Sequence, residues 1–90
     1  MFSVHLSNAA KKGLSRCQKD YAETVKEALL ALKQYPYPFQ FYDLKKICGC
    51  DNSYRIRIGK WRIKYEVLSE DNLIVIISIE RKSDTTYKHR

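Results

Sequence analysis

The 90-residue sequence has little of what marks a membrane protein, a secreted protein or a metalloenzyme. Its longest uncharged apolar run, Leu73 to Ile79, is under half of the roughly 18 residues needed to cross a bilayer as a helix, so no membrane span is expected. Met1 to Asn8 lacks a basic stretch leading into a long apolar one; a secretory signal is not expected, and cytoplasmic residence is. Three cysteines cannot all pair within one chain. Cys17 stands alone, and Cys48 and Cys50 lie two apart, a spacing that suits neither a local disulfide nor a tetrahedral zinc set. All three are read as reduced or structural, with a link between Cys17 and the Cys48 segment left open. A glycine-rich phosphate loop, a His-Glu metal spacing and an acidic cluster for magnesium are also missing. No cofactor or metal is expected, and any catalysis should run without one.

Charge and apolar content are what the chain does have. Seventeen Lys plus Arg against ten Asp plus Glu give a formal charge of +7, while 44% of residues are hydrophobic. That apolar share is enough to offset ordering entropy, so the reading is one folded domain over residues 1–90 rather than a disordered basic tail. Its surplus charge calls for an acidic partner. The distribution is uneven, with residues 44–90 carrying +5 of the +7, so that half should hold the binding surface.

Hydrophobic periodicity sets the order of elements. Phe2, Val4 and Leu6 alternate with Ser3 and His5 as in a half-buried strand, and Ser7 or Asn8 offers a cap for a short helix over Ala9–Cys17. Gly13 weakens that helix. Asp20 and Glu23 have the form of a capping box opening a second helix, whose apolar face is Tyr21, Val25, Ala28, Leu29 and Leu32. Pro36 and Pro38 end it. Phe39 to Asp43 reads as a connector whose aromatics cover the edge of the core, and Leu44–Cys48 as a short strand. Two clear strands follow, Tyr54–Ile58 and Trp61–Val67, joined by Gly59 and Lys60 in a primed hairpin turn. Leu73–Ile79, β-branched and without alternation, predicts a central strand buried on both faces. The fold class is α+β: an N-terminal strand, two helices, then a three- to four-stranded antiparallel sheet with the helices on one face.

A two-residue turn fixes the hairpin register. Ile58 falls opposite Trp61, Arg57 opposite Arg62, Ile56 opposite Ile63, Arg55 opposite Lys64 and Tyr54 opposite Tyr65. One face is then apolar or aromatic, and the other gathers Arg55, Arg57, Arg62 and Lys64. Like charges directly opposed cost roughly 0.2–1 kcal/mol per pair, a cost that folding alone would not select. No acidic residue lies between Asp51 and Glu66 to relieve it. The plain alternative is a solvated strand face kept charged against edge-to-edge pairing. The functional reading is a phosphate-binding patch, with arginine supplying bidentate geometry and Arg81 close by. Lys82 follows Arg81, and Tyr87 offers a stacking surface for a base.

The run Tyr54-Arg55-Ile56-Arg57-Ile58-Gly59-Lys60-Trp61-Arg62-Ile63-Lys64-Tyr65-Glu66-Val67 resembles the hallmark hairpin of the RelE/ParE toxin superfamily. Leu44-Lys45-Lys46-Ile47, the strand end Ile77-Ser78-Ile79-Glu80-Arg81 and Tyr87 also match. The resemblance implies a RelE-like fold and a cytoplasmic endoribonuclease toxin that cleaves mRNA in the ribosomal A site, neutralised by an acidic antitoxin. It places the catalytic set on Arg55, Arg57, Arg62, Arg81 and Tyr87, with Lys45, Lys46, Lys60, Lys64, Lys82 and His89 as RNA-binding residues around it. Arg57 and Arg62 would meet the scissile phosphate, Arg81 the charge on the leaving oxygen, and Tyr87 the base. Several family members carry lysine where this chain has arginine at the outward positions, and guanidinium is a poor general base. The base is therefore open among Lys64, Lys45, Lys46, Glu66 and His89. A ParE-like gyrase inhibitor and a non-catalytic RNA- or ribosome-binding module are the competing readings.

Overall fold

The computed structural model describes residues 1–47, 49 and 52–81. Alternation over the first residues gives β1 (Ser3–Leu6), and Ser7 then starts α1 (Asn8–Arg16) by accepting from the Ala10 amide at 3.1 Å through its hydroxyl. α2 (Lys19–Gln34) begins almost at once and stops ahead of Pro36. Its N-cap is Gln18, which makes no side-chain capping bond; the expected capping box does not form. The reason is the brevity of the α1–α2 link. Cys17 and Gln18 are the only extended residues between the helices, so Asp20 already lies within the first turn, where its charge favours the helix dipole instead.

Four more strands follow: β2 (Asp43–Lys46), β3 (Ser53–Ile58), β4 (Trp61–Leu68) and, after a 3-10 turn at Ser69–Asp71, β5 (Leu73–Arg81). They join β1 in a five-stranded sheet of order β1-β5-β4-β3-β2, in which β1 runs parallel to β5 and the other neighbours are antiparallel. The sheet is thus one strand wider than the three to four expected, because β1 closes its far edge. Val25, Ala28, Leu29 and Leu32 of α2 and Ala10 of α1 pack with Ile56, Trp61, Ile63, Tyr65, Val67, Ile74, Ile76 and Ile79 in one core. Tyr65 is fully buried, and its hydroxyl donates to the Pro36 carbonyl at 2.8 Å. Burial, with Tyr54 and Tyr37 beside it, pushes the Tyr65 phenol well above its usual range.

Two expectations need correction. In the connector, Pro38 is buried and Tyr42 packs on the core, but Phe39 and Phe41 point outward and are 69% and 62% exposed. The tight turn in which the Phe41 and Tyr42 amides both donate to the Pro38 carbonyl sends alternate aromatics outward. β5 lies inside the sheet, between β1 and β4, but is not buried on both faces throughout: Ser78 on the outward face is buried, while Ile77 is 40% exposed. Lys64 pairs with Ser78 and Tyr65 with Ile76, which leaves Ile77 as an extra residue in a β-bulge. The carbonyl of Ile77 accepts from the Ser7 hydroxyl at 2.7 Å, so the residue that caps α1 also anchors the bulge.

Candidate nucleic-acid interface

The hairpin register is the expected one at all five pairs, from Ile58 opposite Trp61 to Tyr54 opposite Tyr65. Gly59 turns the chain with φ of +56°, a region natural to glycine at the first position of a tight hairpin turn. Ile56, Ile63, Tyr65 and Trp61 enter the core, and Arg55, Arg57, Arg62 and Lys64 stand on the opposite, outward face. β2 adds Lys45 opposite Arg55 on that face.

Among these side chains is a shallow hollow of about 460 Å³ lined by Lys45, Lys46, Ile47, Arg55, Arg62 and Lys64. Arg55 and Arg62 each carry a buried Nε with no hydrogen-bond partner among the described residues. A buried guanidinium donor without an acceptor is costly, and both arginines line the hollow, where an anion can meet their charge.

The outward face is not purely cationic. Asp43 stands opposite Arg57 and holds it, with 2.8 Å from Nη2 to Oδ2 and 3.0 Å from Nε. Glu80 stands opposite Arg62 and lies 3.6 Å from the Lys64 ammonium. The absence of acids from 52 to 65 concealed this, because the neutralising carboxylates come from strands paired on either side of the hairpin. Arg57 is absent from the lining of the hollow. Both pairs are about half exposed, so an incoming phosphate can displace either carboxylate at small cost.

Arg81 does not join this patch. It pairs with Trp61, so its side chain lies on the helix side of the sheet, where it lines a different hollow with Arg16, Gln18, Tyr21, Lys60 and Trp61. The bulge is the cause. Before Ile77 the even-numbered residues Ile74 and Ile76 face the core; after it the odd-numbered Ile79 does, and Arg81 follows that phase. Lys60 falls in the same second hollow. Tyr87, Lys82 and His89, like Cys48 and Cys50, lie outside the described residues. Cys17 has no disulfide partner among the described residues, and its partly buried thiol is raised above its ordinary pKa by that burial. Sequence reasoning passed over Asp43, Glu80, Arg16 and Tyr21; only cross-strand and helix-to-turn packing brings them in.

A basic mixed sheet carrying an arginine-rich hairpin, with two helices on its other face, is the arrangement that the resemblance to a class of small toxin domains implies. The chain belongs to the RelE/ParE superfamily of toxins from type II toxin-antitoxin systems: residues 4–85 match the family model described as the ParE toxin of the type II toxin-antitoxin system parDE. A protein named toxin RelE1 from Methanocaldococcus jannaschii is 35% identical over 98% of this chain and 97% of its own length. Among solved structures, the archaeal RelE-RelB complex from Pyrococcus horikoshii OT3 superposes with a TM-score of 0.82 at 25% identity, covering 92% of this chain and 97% of the other. The intact E. coli RelBE complex gives a TM-score of 0.77 at 20% identity over 93% and 99%, which bears on the fold.

Proposed function

We propose that this chain is a RelE-like toxin: a cytoplasmic endoribonuclease that cleaves mRNA in the ribosomal A site and is silenced by an acidic cognate antitoxin. The observation that carries the reading is the hollow on the outward face, lined by Arg55, Arg62, Lys45, Lys46 and Lys64, whose two arginines also hold buried Nε atoms unpaired among the described residues. In the reaction the ribose 2'-hydroxyl attacks the adjacent phosphorus, the bond to the 5'-oxygen breaks, and a 2',3'-cyclic phosphate and a 5'-hydroxyl result. Arg55 and Arg62 brace the non-bridging oxygens as negative charge builds on them, and Arg57 joins once phosphate replaces Asp43. Of the proton acceptors considered, Lys45, Lys46 and Lys64 line the hollow and Glu66 does not. The antitoxin reading draws on the +7 charge and on a similar archaeal RelE being found in complex with RelB.

The test is primer extension on mRNA bound to programmed ribosomes. Wild-type protein should cut within the A-site codon, and Arg62→Ala and Arg55→Ala should each lower the rate by about 10²-fold or more, the scale for losing a donor to transition-state charge. The family model's description as a ParE toxin favours a second reading, inhibition of DNA gyrase. Intact mRNA together with blocked gyrase supercoiling would establish that reading and overturn the first.

A further inference from the structure

We propose that the hollow formed by Arg16, Gln18, Tyr21, Lys60, Trp61 and Arg81 is a second phosphodiester subsite, which grips single-stranded RNA on the helix side of the hairpin tip. The inference rests on the RNA reading above and extends it to a surface facing the other way. The cavity measures about 420 Å³, within the range of small-ligand sites. Three cations line it and, among the described residues, no carboxylate does, in contrast to the outward face with Asp43 and Glu80. None of the three takes part in an ion pair among the described residues.

The gathering is tertiary. Arg16 comes from the last turn of α1, Gln18 from the N-cap of α2, Lys60 from the hairpin turn and Arg81 from the end of β5. Three like charges brought together from separate elements repel one another, and a polyanion turns that cost into attraction. The floor is fixed. Trp61 is 6% exposed, and Tyr21 lies so close over Gly59 that a Cβ there would come within 2.8 Å of its ring. Gln18 makes no capping bond, so its amide is free to meet a ligand.

Phosphate is favoured as the occupant by two guanidinium forks, by Tyr21 at the wall as a surface for a base, and by continuity. Lys60 and Trp61 line this hollow while Arg62, the next residue, lines the other, so a strand crossing the hairpin tip passes from one to the other.

Trp61 is the chain's single tryptophan, which makes its fluorescence a local reporter. The experiment titrates a 2'-O-methyl oligouridine of about 12 nucleotides, which cannot be cleaved, into the full chain over a series of salt concentrations. Wild type should show a Trp61 change on binding. Arg16→Gln/Lys60→Gln should lose that change and flatten the log-log salt slope by about 1.4, two single-strand phosphate contacts. Arg62→Gln should bind more weakly with the Trp61 change retained at saturation. Equal urea midpoints for all three proteins establish that the fold is intact. A double variant with wild-type slope and fluorescence overturns the subsite and leaves the nuclease reading standing. The same follows if the double variant loses only a complex with an oligo-glutamate peptide, which would make the hollow a protein contact. A subsite confirmed in this way, beside mRNA left uncut on ribosomes, would instead sink the nuclease reading alone.

Discussion

Replacing Gly13 by alanine separates two physical effects of opposite sign. Helix propensity favours alanine by about 1 kcal/mol inside α1. Packing opposes it, because a Cβ at residue 13 would lie 1.9 Å from the carbonyl oxygen of Ile79 and 2.8 Å from its carbonyl carbon. Real Cβ atoms essentially never approach within 3.0 Å, so the shortfall exceeds 1 Å. The obstacle is the backbone of β5, held between β1 and β4, which cannot rotate aside as a flexible side chain would. α1 must therefore lift away from the strand. Overpacking of this kind typically costs 1–3 kcal/mol, and a backbone obstacle places the cost toward the upper end, about 3 kcal/mol. Subtracting the propensity gain leaves a net loss of about 2 kcal/mol. Urea denaturation reads it directly: with a slope near 1 kcal/mol/M, at the low end for small domains, the midpoint should fall by about 2 M. Ser15→Ala, on the exposed side of the same helix, exchanges the hydroxyl's 2.7 Å bond to the Lys12 carbonyl for helix propensity without meeting β5, and should leave the midpoint about where it is. A Gly13→Ala protein as stable as wild type would refute the argument, and with it the close seating of α1 on β5.

Other perturbations probe the core and the outward face. Tyr65→Phe removes the donor to the Pro36 carbonyl and should cost about 1 kcal/mol in the same urea assay. The raised Tyr65 phenol keeps its proton in the folded state above pH 10, its unfolded value, while the unfolded chain gives that proton up. Stability should therefore be full below that pH and fall as pH rises beyond it, and Tyr65→Phe should show a shallower alkaline decline; an identical decline would remove Tyr65 as its cause. Asp43→Asn releases Arg57 from its half-exposed pair, so RNA affinity should rise and the salt slope steepen by about 0.7, with stability changed by no more than about 1 kcal/mol. Weaker RNA binding by that variant would show that Asp43 holds Arg57 in its working position instead of competing for it.

What was legible in the sequence follows the range of the interactions involved. The hairpin register could be read because a two-residue turn with glycine first leaves one pairing that sends every apolar side chain inward. The buried face of α2 was legible for a similar reason, since helical spacing is local. The start of α2 was misread because Asp20 and Glu23 satisfy the chemistry of a capping box wherever they fall, while the length of the α1–α2 link decides where the helix begins. Gly13 read as a weakness in α1, and only the distance to Ile79 shows that it is a requirement. Asp43 and Glu80 were out of reach altogether: each neutralises a cation on the hairpin from a neighbouring strand.

The position of Arg81 shows how a single inserted residue redistributes a charged site. Without Ile77 as an extra residue, the phase set by Ile74 and Ile76 would continue, Ser78 and Glu80 would face the helices, and Ile79 and Arg81 would face outward beside Arg62. A carboxylate would then be buried against α1, and an isoleucine would be lost to solvent. The bulge prevents both. It puts Ile79 into the core against Gly13, leaves Glu80 near Lys64, and delivers Arg81 to the side where Arg16 and Lys60 already stand. Ser7 fixes this arrangement by donating to the Ile77 carbonyl while capping α1, the helix that carries Arg16. Core packing and the division of cations between the two faces are thus set by the same irregularity. A substitution that removes the bulge cannot alter the charge pattern without also disturbing the core.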